Sequence, residues 1–220
     1  MLLAHCGDLV AAKKFDEALE IIGRREHSFW LDRDVGRKAQ WEASRRMAEL
    51  GSLGATVRAA VAKAGGDANA WIGAYAAKDG WFRLDQAQRR LEAWVANLDD
   101  EPQERPLGVV RGVYEDTCRA MADGFTKALV VAEWTISSSL HQTRIYSEIV
   151  SEQPNPVAYF FVDAMRYEMG VELSERLPKS VEVSVRAAIC ALPSITPIGM
   201  AALQPGASSS FSVVELSTPE

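Results

Sequence analysis

Residues 157–162 read Val-Ala-Tyr-Phe-Phe-Val, a short apolar run rich in β-branched and aromatic types that stops at an acid, Asp163. A strand with one wet face alternates apolar and polar residues, so an unbroken run predicts a strand buried on both faces of a sheet. Beyond it, Met165, Met169, Leu173 and Leu177 recur every four residues with charges between them, which predicts a helix that Pro178 ends. A second strand is expected at 181–187, where Val181, Val183 and Val185 alternate with Glu182, Ser184 and Arg186. Strand, helix and strand in that order specify an α/β unit. Asp163 then stands at the carboxyl end of its first strand, the edge at which ligands bind in open α/β sheets.

The next segment, Leu192-Pro-Ser-Ile-Thr-Pro-Ile-Gly-Met200, sets Thr196 immediately before Pro197. Proline is favoured at the first helical position because the N–H it lacks would have had no partner there. Thr196 is therefore expected as the N-cap of a short helix running to about Leu203, next to free N–H groups that favour an anion. Two roles are open to it. A hydroxyl so placed, ionised by a metal, can attack phosphorus; alternatively Thr196 is only a cap, as threonine commonly is, and Asp163 only a surface acid.

The residues Pro156-Val-Ala-Tyr-Phe-Phe-Val-Asp-Ala-Met-Arg-Tyr-Glu-Met169, followed by Leu192-Pro-Ser-Ile-Thr-Pro-Ile-Gly-Met-Ala-Ala-Leu203 and Pro205-Gly206-Ala207, resemble the start of a PglZ domain. PglZ proteins belong to the alkaline phosphatase superfamily and occur in BREX phage-defence systems. The resemblance covers the last quarter to third of the chain. It implies that Asp163 binds a divalent metal, zinc being the ion the superfamily most often uses, and that Thr196 is both nucleophile and metal ligand. It implies a phosphate-ester substrate and, as partners, other proteins of a defence system. Metal sites of that superfamily are completed by Asp and His residues well after the nucleophile. Here only residues 204–220 follow, and His5, His27 and His141 all precede it. The expectation is a truncated catalytic domain, with a non-catalytic interaction module of a multi-protein complex as the alternative.

A length of 220 residues allows one large or two modest domains, and 48% hydrophobic with 25% charged residues is ordinary for a folded chain. The net charge of −6 argues against a broad nucleic-acid-binding surface. Cys6, Cys118 and Cys190 are far apart and odd in number, which predicts reduced thiols and a cytoplasmic setting. No signal peptide is legible after Met1, and no apolar run reaches the roughly 20 residues of a membrane span, so no membrane is expected.

Residues 1–98 are expected to be helical. Phe15, Leu19 and Ile22 mark one helix that Gly23 stops; Trp41, Met47, Leu50, Val57 and Val61 mark a pattern broken at Gly51 and Gly54. Gly65-Gly66-Asp67 is a turn with Asp67 as N-cap for 68–77, and after Asp79-Gly80 the residues Leu84, Ala87, Leu91, Trp94 and Val95 form an apolar stripe that excludes Gln86. No fixed period aligns these helices, so a bundle with aromatic core residues is favoured over a solenoid. Arg24-Arg25, Arg45-Arg46 and Arg89-Arg90 invite phosphate contacts, but acids nearby favour solvated faces. Residues 99–106, acidic and proline-bearing, should form a linker. Residues 107–152 should form one or two long helices, dividing near Ser137-Ser-Ser139, that lead into the α/β domain at 156–220. The fold class expected is therefore α/β with a helical N-terminal region and a partial alkaline-phosphatase-like sheet at the C-terminal end.

Overall fold

The computed structural model describes residues 1–25, 33–137, 139–154 and 156–214; His27 and Ser138 lie outside them. The chain divides into two units, Met1–Thr135 and Ile136–Glu220.

The first unit is built round α3, a helix of 27 residues at Val35–Val61. It is flanked by α1 (Leu2–Ala11), α2 (Phe15–Gly23), α5 (Phe82–Val95) and α6 (Glu104–Val131), and α4 (Ala68–Ala76) packs on α6. Met47, Ala48, Leu50 and Val57 of α3 are buried with Cys6, Val10, Phe15, Leu84, Leu91 and Val110. The unit is a helical bundle, as its apolar periodicity predicts. Asp34 caps α3 by accepting from Arg37 N–H at 2.9 Å, and Asp67 caps α4 by accepting from Asn69 N–H at 2.9 Å.

Gly51 and Gly54 do not break α3. A Cβ at Gly51 would lie 2.3 Å from the Phe15 ring, and one at Gly54 would lie 2.6 Å from Val113 Cγ1. The two glycines are where neighbouring helices press against α3, and the hydrogen bonds of a packed helix offset their poor propensity. Gln86, expected on the wet side of α5, is buried and accepts from Arg83 Nη1 at 2.9 Å. The Arg45-Arg46 pair is engaged within the bundle: Arg45 bonds Glu42 and Glu49, while Arg46 reaches Glu42 and stacks over Trp94 at 4.8 Å.

The long helix expected through 107–152 ends early. α6 starts at Glu104 and stops at Val131, and the chain leaves it through Glu133 and Trp134, both in the left-handed region at φ 50° and 59°. In the second unit, Leu140–His141 is a strand, β1, followed by a 3-10 turn at Gln142–Arg144 and a π-helical turn at Tyr146–Val150. β1 pairs in parallel with β2, Ala188–Ile189, in the register Leu140↔Ala188 and His141↔Ile189. The unit's helices are α7 (Tyr167–Arg176), α8 (Thr196–Ala202) and α9 (Ala207–Ser210).

Neither expected strand forms a ladder. Residues 157–162 and 181–187 have no strand partner among the described residues, and the only pairing starts at Ala188, one residue past the second of them. Phe160 is 81% exposed instead of buried on both faces. A strand is stable only when its N–H and C=O groups meet those of a neighbour, and sequence pattern cannot supply the neighbour. The apolar stripe predicted for α7 is likewise exposed at Leu173, while Glu168 and Glu172 face inward. Those carboxylates are tolerated there because Arg166 pairs with Glu168 at 3.0 Å and Arg176 pairs with Glu172.

Candidate functional site

Asp163 and Thr196, 33 positions apart, meet in the second unit. The Thr196 Oγ1 hydroxyl donates to Asp163 Oδ1 at 3.1 Å, and the same oxygen accepts the Ala164 N–H at 2.9 Å. Ala164 adopts φ 53°, a left-handed conformation that costs an L-residue about 1–2 kcal/mol, and it reverses the chain between the apolar run and α7. Both partners are exposed, so a ligand can reach them from solvent.

Thr196 is not the N-cap. It is the first residue of α8, with Pro197 after it, and Ile195 occupies the cap position without a side-chain cap bond. The hydroxyl is therefore not turned back onto its own helix but spent on Asp163. Ser194, two residues earlier, makes no side-chain hydrogen bond among the described residues.

Side chains, rather than a sheet, put the two segments in place. Tyr159 donates its hydroxyl to Leu203 C=O at 3.3 Å, just past the end of α8. Its ring lies edge-on to Phe161 at 4.5 Å and tilted against Tyr146 at 6.2 Å, and burial raises its phenol pKa above the ordinary value. Gln142 donates from Nε2 to Gly199 C=O at 3.1 Å and accepts the Ala191 N–H on Oε1 at 3.1 Å. Neither residue stands out in the sequence as part of a site. Only the apolar run that contains Tyr159 gives any signal, and Gln142 gives none.

Asp163 and Thr196 offer a carboxylate and a hydroxyl at one point, which suits an oxygen-seeking ion. Among the described residues, however, no three His, Cys, Asp or Glu side chains gather closely enough to hold a metal. His5 lies on α1 of the first unit, and His141 Nδ1 is engaged with Thr143 Oγ1 at 2.8 Å. Two donors fall short of the set that either a structural or a catalytic ion requires.

An open groove of about 1090 Å³ in the first unit, lined by Arg58, Trp71, Thr117 and Gly124 among others, contains neither Asp163 nor Thr196. The three cysteines form no disulfide. No helix among the described residues is long and apolar enough to cross a membrane.

Residues 143–215 match the family model described as the BREX system PglZ alkaline phosphatase-like domain. No curated protein and no solved structure matches the chain.

Proposed function

We propose, from the match of residues 143–215 to the PglZ family model, that the chain carries the opening part of an alkaline-phosphatase-like domain that cleaves phosphate esters in phage defence. In this reading Thr196 is the nucleophile and Asp163 a metal ligand, residues 156–220 belong to the catalytic domain, and the helices of residues 1–98 together with α6 are scaffold. The protein works in the cytoplasm beside other proteins of a defence system. The observation that supports it is the 3.1 Å hydrogen bond from Thr196 Oγ1 to Asp163 Oδ1, which joins the two residues that the family pattern singles out.

Asp163 orients the hydroxyl by taking its proton in a hydrogen bond, so that an oxygen lone pair is left for phosphorus. In the transfer, the Thr196 Oγ1–P bond forms as the P–O bond to the leaving group breaks, and the hydroxyl proton passes through Asp163 or solvent to the departing alkoxide, which leaves as the alcohol; water then cleaves the phosphothreonine, releasing inorganic phosphate and restoring the hydroxyl. A bound divalent ion, zinc by family habit, would lower the pKa of the attacking hydroxyl. Its remaining ligands would have to come from outside the described residues, because two donors do not hold it.

The test is turnover of a phosphoester by the full-length protein with zinc or magnesium supplied. Thr196→Ala and Asp163→Asn should abolish it, Thr196→Ser should keep part of it, and Ser194→Ala should be harmless. Because Thr196 does not cap α8, Thr196→Ala should also leave thermal unfolding nearly unchanged, whereas loss of a true cap costs about 0.5–2 kcal/mol. A dead Ser194→Ala beside an active Thr196→Ala would reassign the nucleophile.

A second reading has its own support. Phe160, Val162, Leu192 and Ile195, close in sequence to the two site residues, are exposed, and exposed apolar side chains in number suit a binding surface. There the second unit is an interaction module without turnover. A defence partner that binds equally well to the wild type and to Asp163→Asn, with no hydrolysis by either, would favour it.

A further inference from the structure

α8 has seven residues, too few to hold a helix by its own hydrogen bonds. The loop that enters it gains little from packing, since Leu192 and Ile195 are both more than half exposed. Something else must fix where Thr196 stands. Gln142 is placed to do it: one planar amide grips both ends of the segment 191–199, taking the Ala191 N–H on Oε1 and giving Nε2–H to Gly199 C=O, each at 3.1 Å. Gln142 directly follows β1, whose ladder to β2 ends at His141↔Ile189, so its side chain carries the pairing of the two strands beyond the last backbone rung. The two partners also fix which way the amide faces. An N–H requires the oxygen and a carbonyl requires the nitrogen, so the arrangement works in only one orientation.

We propose that Gln142 is a positioning residue for the Thr196 nucleophile, tying the entry and the first turn of α8 to β1 so that the hydroxyl stays on Asp163. The assignment rests on the hydrolase reading given above. Gln142 touches neither Thr196 nor Asp163, so its effect travels through the backbone of 191–199. A displacement of the order of 1 Å at a reacting group can cost about a hundredfold in rate.

Gln142→Glu is the decisive variant. It keeps size and shape and keeps an oxygen for Ala191 N–H, but at neutral pH it sets a second acceptor against Gly199 C=O. In the full-length protein it should lower kcat about tenfold or more with KM within about twofold of wild type, since chemistry and not ground-state binding is disturbed. Amide hydrogen exchange should become faster at 191–199 and stay unchanged in the first unit. Gln142→Ala should behave in the same way; should it fail to fold, Gln142→Glu alone decides. Wild-type kcat and exchange in Gln142→Glu would overturn the assignment, and so would a loss of kcat with wild-type exchange at 191–199. A wild-type protein that cleaves no phosphoester overturns the hydrolase reading and the kinetic role with it, while exchange at 191–199 still reports by itself whether Gln142 holds the segment.

Discussion

Gly54 and Gly108 are the same residue in the same kind of element, yet they should respond to a methyl group with opposite signs. At Gly54 the added Cβ meets Val113 Cγ1 at 2.6 Å, and the Val113 side chain or one of the two helices must shift to admit it. At Gly108, on the exposed side of α6, nothing lies within 4 Å. Gly54→Ala should therefore destabilise the bundle by about 1–3 kcal/mol through overpacking. Gly108→Ala should stabilise it by about 0.5–1 kcal/mol, because alanine removes conformational freedom from the unfolded chain and favours the helix. Urea midpoints of the two variants, followed by tryptophan fluorescence, check both; a stabilised Gly54→Ala would mean that α3 and α6 are less closely packed than described.

Among the elements, α4, α5 and α6 are tied by one carboxylate. Asp85 of α5 accepts from Tyr75 of α4 at 2.6 Å on Oδ2 and from Tyr114 of α6 at 2.8 Å on Oδ1. Burial, and then the charge and hydrogen bond of Asp85, push the Tyr114 phenol pKa far above its ordinary value of about 10. The unfolded chain would release that proton near pH 10 while the folded one keeps it. The stability this contributes is thus complete below about pH 10 and is lost as the pH rises above it. Tm should fall above pH 10 more steeply in the wild type than in Tyr114→Phe, which has no proton there to lose. Equal slopes for the two proteins, measured from pH 8 to 11, would show that Tyr114 is not linked to folding.

For the whole molecule, the two units differ in what holds them. The first buries several helices against α3; the second has a two-residue parallel pair and leaves Phe160, Val162, Leu173 and Val214 exposed. Less buried apolar surface means less stability, so the second unit should open first. All six tryptophans precede Ile136, so their fluorescence reports the first unit alone. On heating, binding of an apolar dye and loss of protection at 188–203 should come before the change in tryptophan emission. A single coincident transition by all three probes would show that the units unfold together.

The sequence by itself determined α2, α4 and α5, the Asp67 cap and the break at Gly65-Gly66 that precedes it. Each of these depends on residues within a turn or two of one another. It did not determine that α3 runs through Gly51 and Gly54, because the need for glycine there comes from Phe15 and Val113 on other helices. Nor did it show that 157–162 and 181–187 lack strand partners among the described residues, since periodicity specifies which residues suit a strand and not which backbone pairs with it. The inward turn of Glu168 and Glu172 was equally hidden, because it depends on which face of α7 finds cover and on arginines close enough to pair. Tertiary structure alone decided that the Thr196 hydroxyl reaches Asp163 instead of its own helix and that Gln142, inconspicuous in the sequence, spans Ala191 and Gly199. Contacts between residues 33 to 57 positions apart are set by how the chain folds back on itself, and no local propensity encodes them.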